Sequence, residues 1–345
     1  MTSLRSLKRQ FILLAVLLLT FLPCVYADRG GFSPKKERVS ESGQKAVIAW
    51  NGTDEILMLS TDVSSSKKSE VVELMPLPSN PTISRGEKQS FTKVQELVNT
   101  YLAIAGPSLT YSERQSGWSG GVTQTPKITI TFQEIIGVHY LTVVKAEEAI
   151  DLIQWLESFL ENRGYTKELP SNLEELFSYY IQNKMNFFVI DMIETNSTVK
   201  TVDPLVYEFR SSTLYYPLRI SSLFSGDTDI SLFTITNVEL NDESIIGEGF
   251  VKKAQFQIKK ETLAEIHTNM TGLFSSNPCM CYFKFKGALE GFDGDISAGF
   301  ITGPDIPTLT LALLSLGSGL VFVILFFPVD RIGRLFYGKR SASSN

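Results

Sequence analysis

The sequence predicts an α+β fold, a mostly antiparallel β-sheet domain that carries a two-helix hairpin, followed by one C-terminal transmembrane helix. Three observations predict it. Runs of β-branched and aromatic residues dominate both halves of the chain. Two amphipathic helical patterns stand side by side near 147–184. An uncharged apolar run covers 308–329. Strands, then helices, then strands again is the order expected of an α+β domain.

The N-terminus comes first. Arg5, Lys8 and Arg9 precede a short apolar core, Phe11 to Leu22, and Val25-Tyr26-Ala27 offers small residues for cleavage. Residues 1–27 therefore read as a secretory signal peptide. The apolar core is short for a spanning helix, which needs about 20 residues.

Residues 28–125 read as a β-rich part. Lys45 to Trp50 and Glu55 to Ser60 flank Asn51-Gly52, a pair that favours a hairpin turn because both residues tolerate positive φ. Ser64 to Ser69 is a polar loop. Val71 to Met75 is a strand that Pro76 and Pro78 should stop, since proline cannot donate to a ladder. Gly117 to Thr125 is rich in Gly, Ser and Thr and reads as a linker or loop.

Residues 126–305 read as an α+β part. Lys127 to Phe132 and Val138 to Val144 are strand-like. A helix over Glu147 to Asn162 places Ala149, Ile153, Leu156 and Leu160 on one face, with Gly164 as its C-terminal cap. A second helix starts near Leu173, with Ser171 and Glu174 at capping-box spacing. Phe187 to Ile193, Leu205 to Phe209, Ile230 to Leu240, Phe250 to Ile258 and Tyr282 to Lys286 are further strands. Glu261 to His267 is a short helix.

The 308–329 run is long enough to cross the hydrocarbon layer with all backbone groups bonded internally. Arg331, Arg334, Lys339 and Arg340 follow it, so the positive-inside rule puts the 330–345 tail in the cytoplasm and the domain outside. The lipid bilayer is thus one expected partner, and an unidentified protein or glycan outside is the other. The formal net charge is −5. Each end carries a net +3, which leaves the middle near −11. That balance argues against nucleic-acid binding, which needs clustered cations against phosphate.

The residues resemble a known family. They are Gly30-Gly31-Phe32, Ser42 to Ile48, Ile56 to Thr61, Leu74 to Pro81, Trp155-Leu156, Gly164-Tyr165 and Tyr216-Pro217-Leu218-Arg219-Ile220. In this order they resemble the prokaryotic, signal-bearing proteins grouped as domain of unknown function 2330, over roughly Asp28 to Leu240. The resemblance implies a prokaryotic surface protein of unassigned activity. Relatives often carry cysteines around Gly-Gly-Phe, and this chain has none there, so no disulfide or metal role carries over to that end.

The chemistry is sparse. Cys279 and Cys281 share one face of a strand, with a Cα separation near the upper limit for a disulfide, so a local or intermolecular disulfide and free thiols both remain open. His139 and His267 lack metal-ligand spacing, and no nucleophile elbow is present. Asp227-Thr228-Asp229 and Asp293-Gly294-Asp295 read as solvated acidic turns with weak calcium-loop character. Sequons at Asn51, Asn196 and Asn269 are glycosylation candidates in an outer domain. No catalytic residue, metal or cofactor is expected from these motifs. Two functions follow: a non-catalytic surface binding or envelope protein, preferred because no reactive constellation is visible, and an extracytoplasmic hydrolase whose site assembles only in the fold.

Overall fold

The structure is a computed structural model. It describes residues 30–35, 37, 39–105, 128–166, 168–195, 198, 200–223 and 226–301, and the pairs 315–316 and 319–320. The signal peptide, the 117–125 loop, Asn196, most of the 308–329 run and the tail lie outside the described residues.

The first half of the chain runs β1 (Gly30–Phe32), β2 (Val39–Trp50), β3 (Asp54–Ser65), β4 (Ser69–Leu77), β5 (Thr82–Arg85), α1 (Lys88–Ala105), β6 (Thr129–Ile136) and β7 (His139–Lys145). Helices α2 (Ala149–Glu161) and α3 (Leu173–Gln182) follow. Then come β8 (Phe187–Thr195), β9 (Lys200–Thr201), β10 (Leu205–Arg210), β11 (Leu214–Tyr216), β12 (Asp227–Thr236), α4 (Glu243–Gly247), β13 (Val251–Gln257), α5 (Leu263–Ile266), α6 (Met270–Leu273), β14 (Cys279–Ala288) and β15 (Ile296–Ala298).

Two large sheets organise these elements. One has the order β1-β4-β8-β7-β6, and the other is eight-stranded along β13-β14-β12-β2-β3-β10-β5, with β9 beside β3. The pairings are antiparallel except β12 with β2, which is parallel. Strands from 28–125 and from 126–305 share both sheets.

Period-two alternation sets the layers. On β4, Met75 and Leu77 face the second sheet and join Leu141, Val143 and Val189 against Ile48, Leu57, Leu205 and Leu232. The intervening Val72 and Leu74 face outward, under Leu152, Leu156 and Phe159 of α2 and Leu176, Phe177 and Tyr180 of α3. The far face of the eight-stranded sheet buries Val47, Met58 and Phe233 beneath Phe91, Val94 and Val98 of α1 and Leu263 of α5. The result is four layers: helix pair, sheet, sheet, helices. Each fully buried Leu or Phe in these clusters contributes roughly 1.5–3 kcal/mol.

Local expectations and structure diverge at identifiable points. The Asn51-Gly52 hairpin forms, with Gly52 at φ +105°. Gly164, at φ +80°, ends α2 with Tyr165 N–H donating to the Leu160 carbonyl. Pro76 does not stop β4; it lies inside the strand opposite Phe188. Among the described residues β1 pairs with β4 as far as Leu74, and no pairing on that side of Pro76 is described. The capping box is not used: Asn172 is the N-cap of α3 and makes no side-chain cap bond. Helix α1 is absent from the sequence reading although Phe91, Val94 and Val98 stand at helical spacing.

Residues Ile301–Asn345 form a separate unit. Within it β16 (Ser315–Leu316) pairs antiparallel with β17 (Gly319–Leu320). These four residues belong to the run expected to be helical; its Ser and Gly residues have low helix propensity. Among the described residues no helix is long and apolar enough to cross a membrane.

Candidate functional site

The side chains that sequence alone offers as reactive are distributed over three places. The first is the inter-sheet layer. Leu141 and Val143 put the odd residues of β7 on that face, and His139 shares it. Asp191 of β8 and Glu73 of β4 stand opposite each other in the same layer. His139 and Asp191 are each about 2% exposed, and Nδ1 lies 2.6 Å from Oδ2. Nε2 lies 2.9 Å from the Asp203 carbonyl, which can only accept, so Nε2 carries a proton. A second proton lies between Nδ1 and the carboxylate. Both ring nitrogens are therefore engaged, and the pair ties β7 to β8 and to the segment before β10.

Just outside is an open cleft of about 420 Å³ lined by Arg85, Lys88 and Asp203, at the start of α1. Arg85 and Lys88 reach Asp203 at 2.7 and 3.3 Å. Burial pushes the Asp203 carboxyl up, but the two cations outweigh it and hold it below its usual range.

The second place surrounds Asp295. The sequence reading makes Asp293-Gly294-Asp295 a solvated turn, and for Asp295 this is corrected: it is half-buried, directly before β15, with its carboxylate held by three donors. It accepts hydrogen bonds from the Tyr180 hydroxyl of α3 at 3.0 Å, the Tyr215 hydroxyl of β11 at 2.9 Å and the Arg219 backbone N–H at 2.9 Å. Burial raises its pKa to about 6, against the opposing effect of these donors. Arg219 stacks 3.9 Å from the centre of the Tyr179 ring and donates to the Asp293 carbonyl. Glu248, half-buried after α4, faces this group. Burial first, then Asp295 and Asp293, raise its carboxyl to about 7. Gly294 permits the approach, since a Cβ there would sit 2.9 Å from Glu248 Oε1. The other acidic pair is corrected as well: Asp227 and Asp229 form no turn but begin β12.

The third place is β14, where Cys279 and Cys281 are free thiols. Cys281 is 5% exposed within the inter-sheet core, and Cys279 lies half-buried beside it. Two residues apart on one strand, the two side chains share its core-facing side.

The remaining candidates stay apart. Burial lowers the pKa of half-buried His267, and its Nδ1 has no hydrogen-bond partner among the described residues. The Asn51 Oδ1 accepts from the Thr53 and Asp54 backbone N–H groups at the hairpin tip. Asn269 is exposed and donates to Glu208 at 2.6 Å. Among the described residues no group of three or more His, Cys, Asp or Glu is arranged to hold a metal.

A feature the sequence reading passes over is the outer edge of the five-stranded sheet. β6 ends the strand order, and among the described residues nothing pairs with its outer side. A bulge between Ile130 and Phe132 shifts its alternation. Phe132 and Ile136 consequently pack on the inter-sheet core, while Ile130 and Ile135 are 50% and 68% exposed. The strand contains no Pro, Lys or Arg.

Residues 25–256 match the family described as uncharacterized proteins conserved in bacteria, DUF2330. The chain belongs to this family. The DUF2330 match contains β6, the His139–Asp191 pair and Arg219, while Asp295 and both thiols lie C-terminal to it. No curated protein matches the chain. Among solved structures, that of baculovirus P35 is 9% identical, covers 81% of this chain and 100% of its own, and has a TM-score of 0.41. A mutated baculovirus P35 after caspase cleavage is 8% identical, with 76% and 100% coverage and the same TM-score of 0.41. Similarity at this level carries no argument about the DUF2330 chain.

Proposed function

We propose that this DUF2330 protein is a bilayer-anchored, extracytoplasmic protein of a prokaryotic envelope that works by binding, and that it holds an extended polypeptide segment of a partner protein along β6. The observation that carries the binding half is the β6 edge. Its outer N–H and C=O groups recur at strand spacing, and that pattern is matched by another extended backbone rather than by a glycan. Ile130 and Ile135 supply apolar contact on one face. The basic start, the uncharged 308–329 run and the basic tail support the anchored, outward-facing half. The engagement of both His139 nitrogens supports a framework role for that histidine rather than proton transfer.

Site-specific photo-crosslinking in intact cells tests this reading. A photoreactive residue at Gln133 or Ile135 should give discrete protein adducts. The same residue at Ile150, exposed on α2, should give none. Adducts at Ile150 equal to those on β6, or none anywhere, would overturn it. An adduct consisting only of a second copy of this chain would overturn the partner.

A second reading, an extracytoplasmic hydrolase, draws on one observation. Glu248 is half-buried with a pKa of about 7, which suits a group that exchanges protons near neutral pH. It predicts a hydrolytic activity with an inflection near pH 7 that Glu248→Gln abolishes.

A further inference from the structure

Cys279 and Cys281 are used by neither reading. They project from one face of β14, toward the inter-sheet core, as neighbours two residues apart. The two differ in access: Cys279 is half-buried, whereas Cys281 is 5% exposed behind it. On the flanking strands, Thr236 and Gln257 stand opposite Cys279, and Thr234 and Gln255 stand opposite Cys281. Lys252 is the nearby cation. It donates to Gln255 Oε1 at 2.9 Å and pairs with Asp242 at 2.5 Å. Glu239, bonded to Gln255 at 2.9 Å, is the acid that opposes it at Cys279. A partly accessible thiol backed by a second, more deeply buried thiol on the same strand face is the arrangement of an attacking and a resolving cysteine.

We propose that this pair is a thiol–disulfide exchange site, with Cys279 the attacking thiol and Cys281 the resolving one, taking a low-molecular-weight disulfide as its oxidant. The Cys279 thiolate attacks one sulfur of the disulfide. A mixed disulfide forms, and the first thiolate leaves with the electron pair and takes up a proton. Cys281 then loses its proton to solvent and attacks the Cys279 sulfur, releasing the second thiol. The protein dithiol is oxidised by two electrons, and one disulfide is reduced to two thiols.

The environment assists each step. Hydrogen bonding from Cys281, against burial, lowers the Cys279 pKa to about 7, which provides thiolate at neutral pH. The same bond is the largest cause holding the Cys281 thiol protonated. It disappears once Cys279 is in a mixed disulfide and uncharged, which releases Cys281 for the second attack. Two residues apart on a strand, the Cα atoms stand about 6.8 Å from each other, at the edge of what a disulfide spans. The bridge is therefore strained and readily reduced, so the site is reversible.

The test uses the full chain in detergent with glutathione disulfide at pH 7, read by mass spectrometry of the peptide holding both cysteines. Wild type should lose two hydrogens without retaining glutathione. Cys281→Ser should stop at a stable glutathione adduct on Cys279. Cys279→Ser should react roughly ten-fold more slowly than Cys281→Ser. Both variants are near-isosteric, and circular dichroism checks that they fold. Equal rates in the two variants would overturn the proposal. So would a wild type that stays reduced or keeps glutathione without forming the bridge.

Discussion

Replacing Asp191 by alanine should destabilise the domain by about 3–5 kcal/mol, the cost of leaving one half of a buried charged or proton-sharing pair without its partner. Screening does not reduce this figure, because both side chains are about 2% exposed. The His139 ring would keep its bond from Nε2 to the Asp203 carbonyl but lose the acceptor 2.6 Å from Nδ1. The loss should be smaller when both partners are replaced by apolar residues of similar shape, as in the double change His139→Leu with Asp191→Leu, because neither member of the pair is then left buried without the other and only the Asp203 carbonyl loses its donor. Urea unfolding of the single and double variants checks this. A double variant that is less stable than Asp191→Ala would show that neighbouring Glu73 depends on the pair.

Asp295 should give the second large effect. Asp295→Ala removes the acceptor of two tyrosine hydroxyls and one backbone N–H that join α3, β11 and the Arg219 turn. With each orphaned buried group costing about 1–3 kcal/mol, the total should reach at least about 3 kcal/mol. The carboxyl also makes stability depend on pH. Its pKa rises from the usual 3.8 to about 6 on folding, so the folded state holds the proton more tightly. Its contribution is full below about pH 4 and is lost as pH rises through about 6. The loss amounts to about 3 kcal/mol by neutral pH. Glu248, raised to about 7, acts in the same direction over a slightly higher range, with solvent screening part of its effect. Wild type should therefore unfold at lower urea concentration at pH 7.5 than at pH 4.5. Asp295→Asn, which keeps one acceptor oxygen without the charge, should flatten that slope. A steeper slope in Asp295→Asn would contradict the assignment.

Local patterning reaches far into this fold. The Asn51-Gly52 hairpin, the strands around Val71, Tyr140 and Val189, and the α2–α3 pair follow from alternation, turn chemistry and caps within a few residues. What it misses is decided by distant partners. Pro76 lies within β4 opposite Phe188, and its fit depends on which strands flank it rather than on its own neighbours in sequence. Helix α1 carries the right spacing in Phe91, Val94 and Val98, but a burial face shows its meaning only against Met58 and Phe233 of the sheet. The sites are less legible still. His139 and Asp191 are 52 positions apart. Asp295 meets tyrosines 115 and 80 positions away, and nothing in Asp-Gly-Asp separates a half-buried clasp from a solvated turn. Cys-x-Cys was visible, but the difference in access between its two thiols depends on the layer into which β14 points.

The binding proposal needs β6 to face the outside of the cell, so the decisive measurement is protease accessibility in spheroplasts that carry a C-terminal epitope tag. Digestion should remove the residues 28–305 domain and leave a small protected fragment bearing the tag, sedimenting with membranes. A full-length chain that resists protease until the membrane is broken, or that appears in the high-speed supernatant after lysis, would contradict the account.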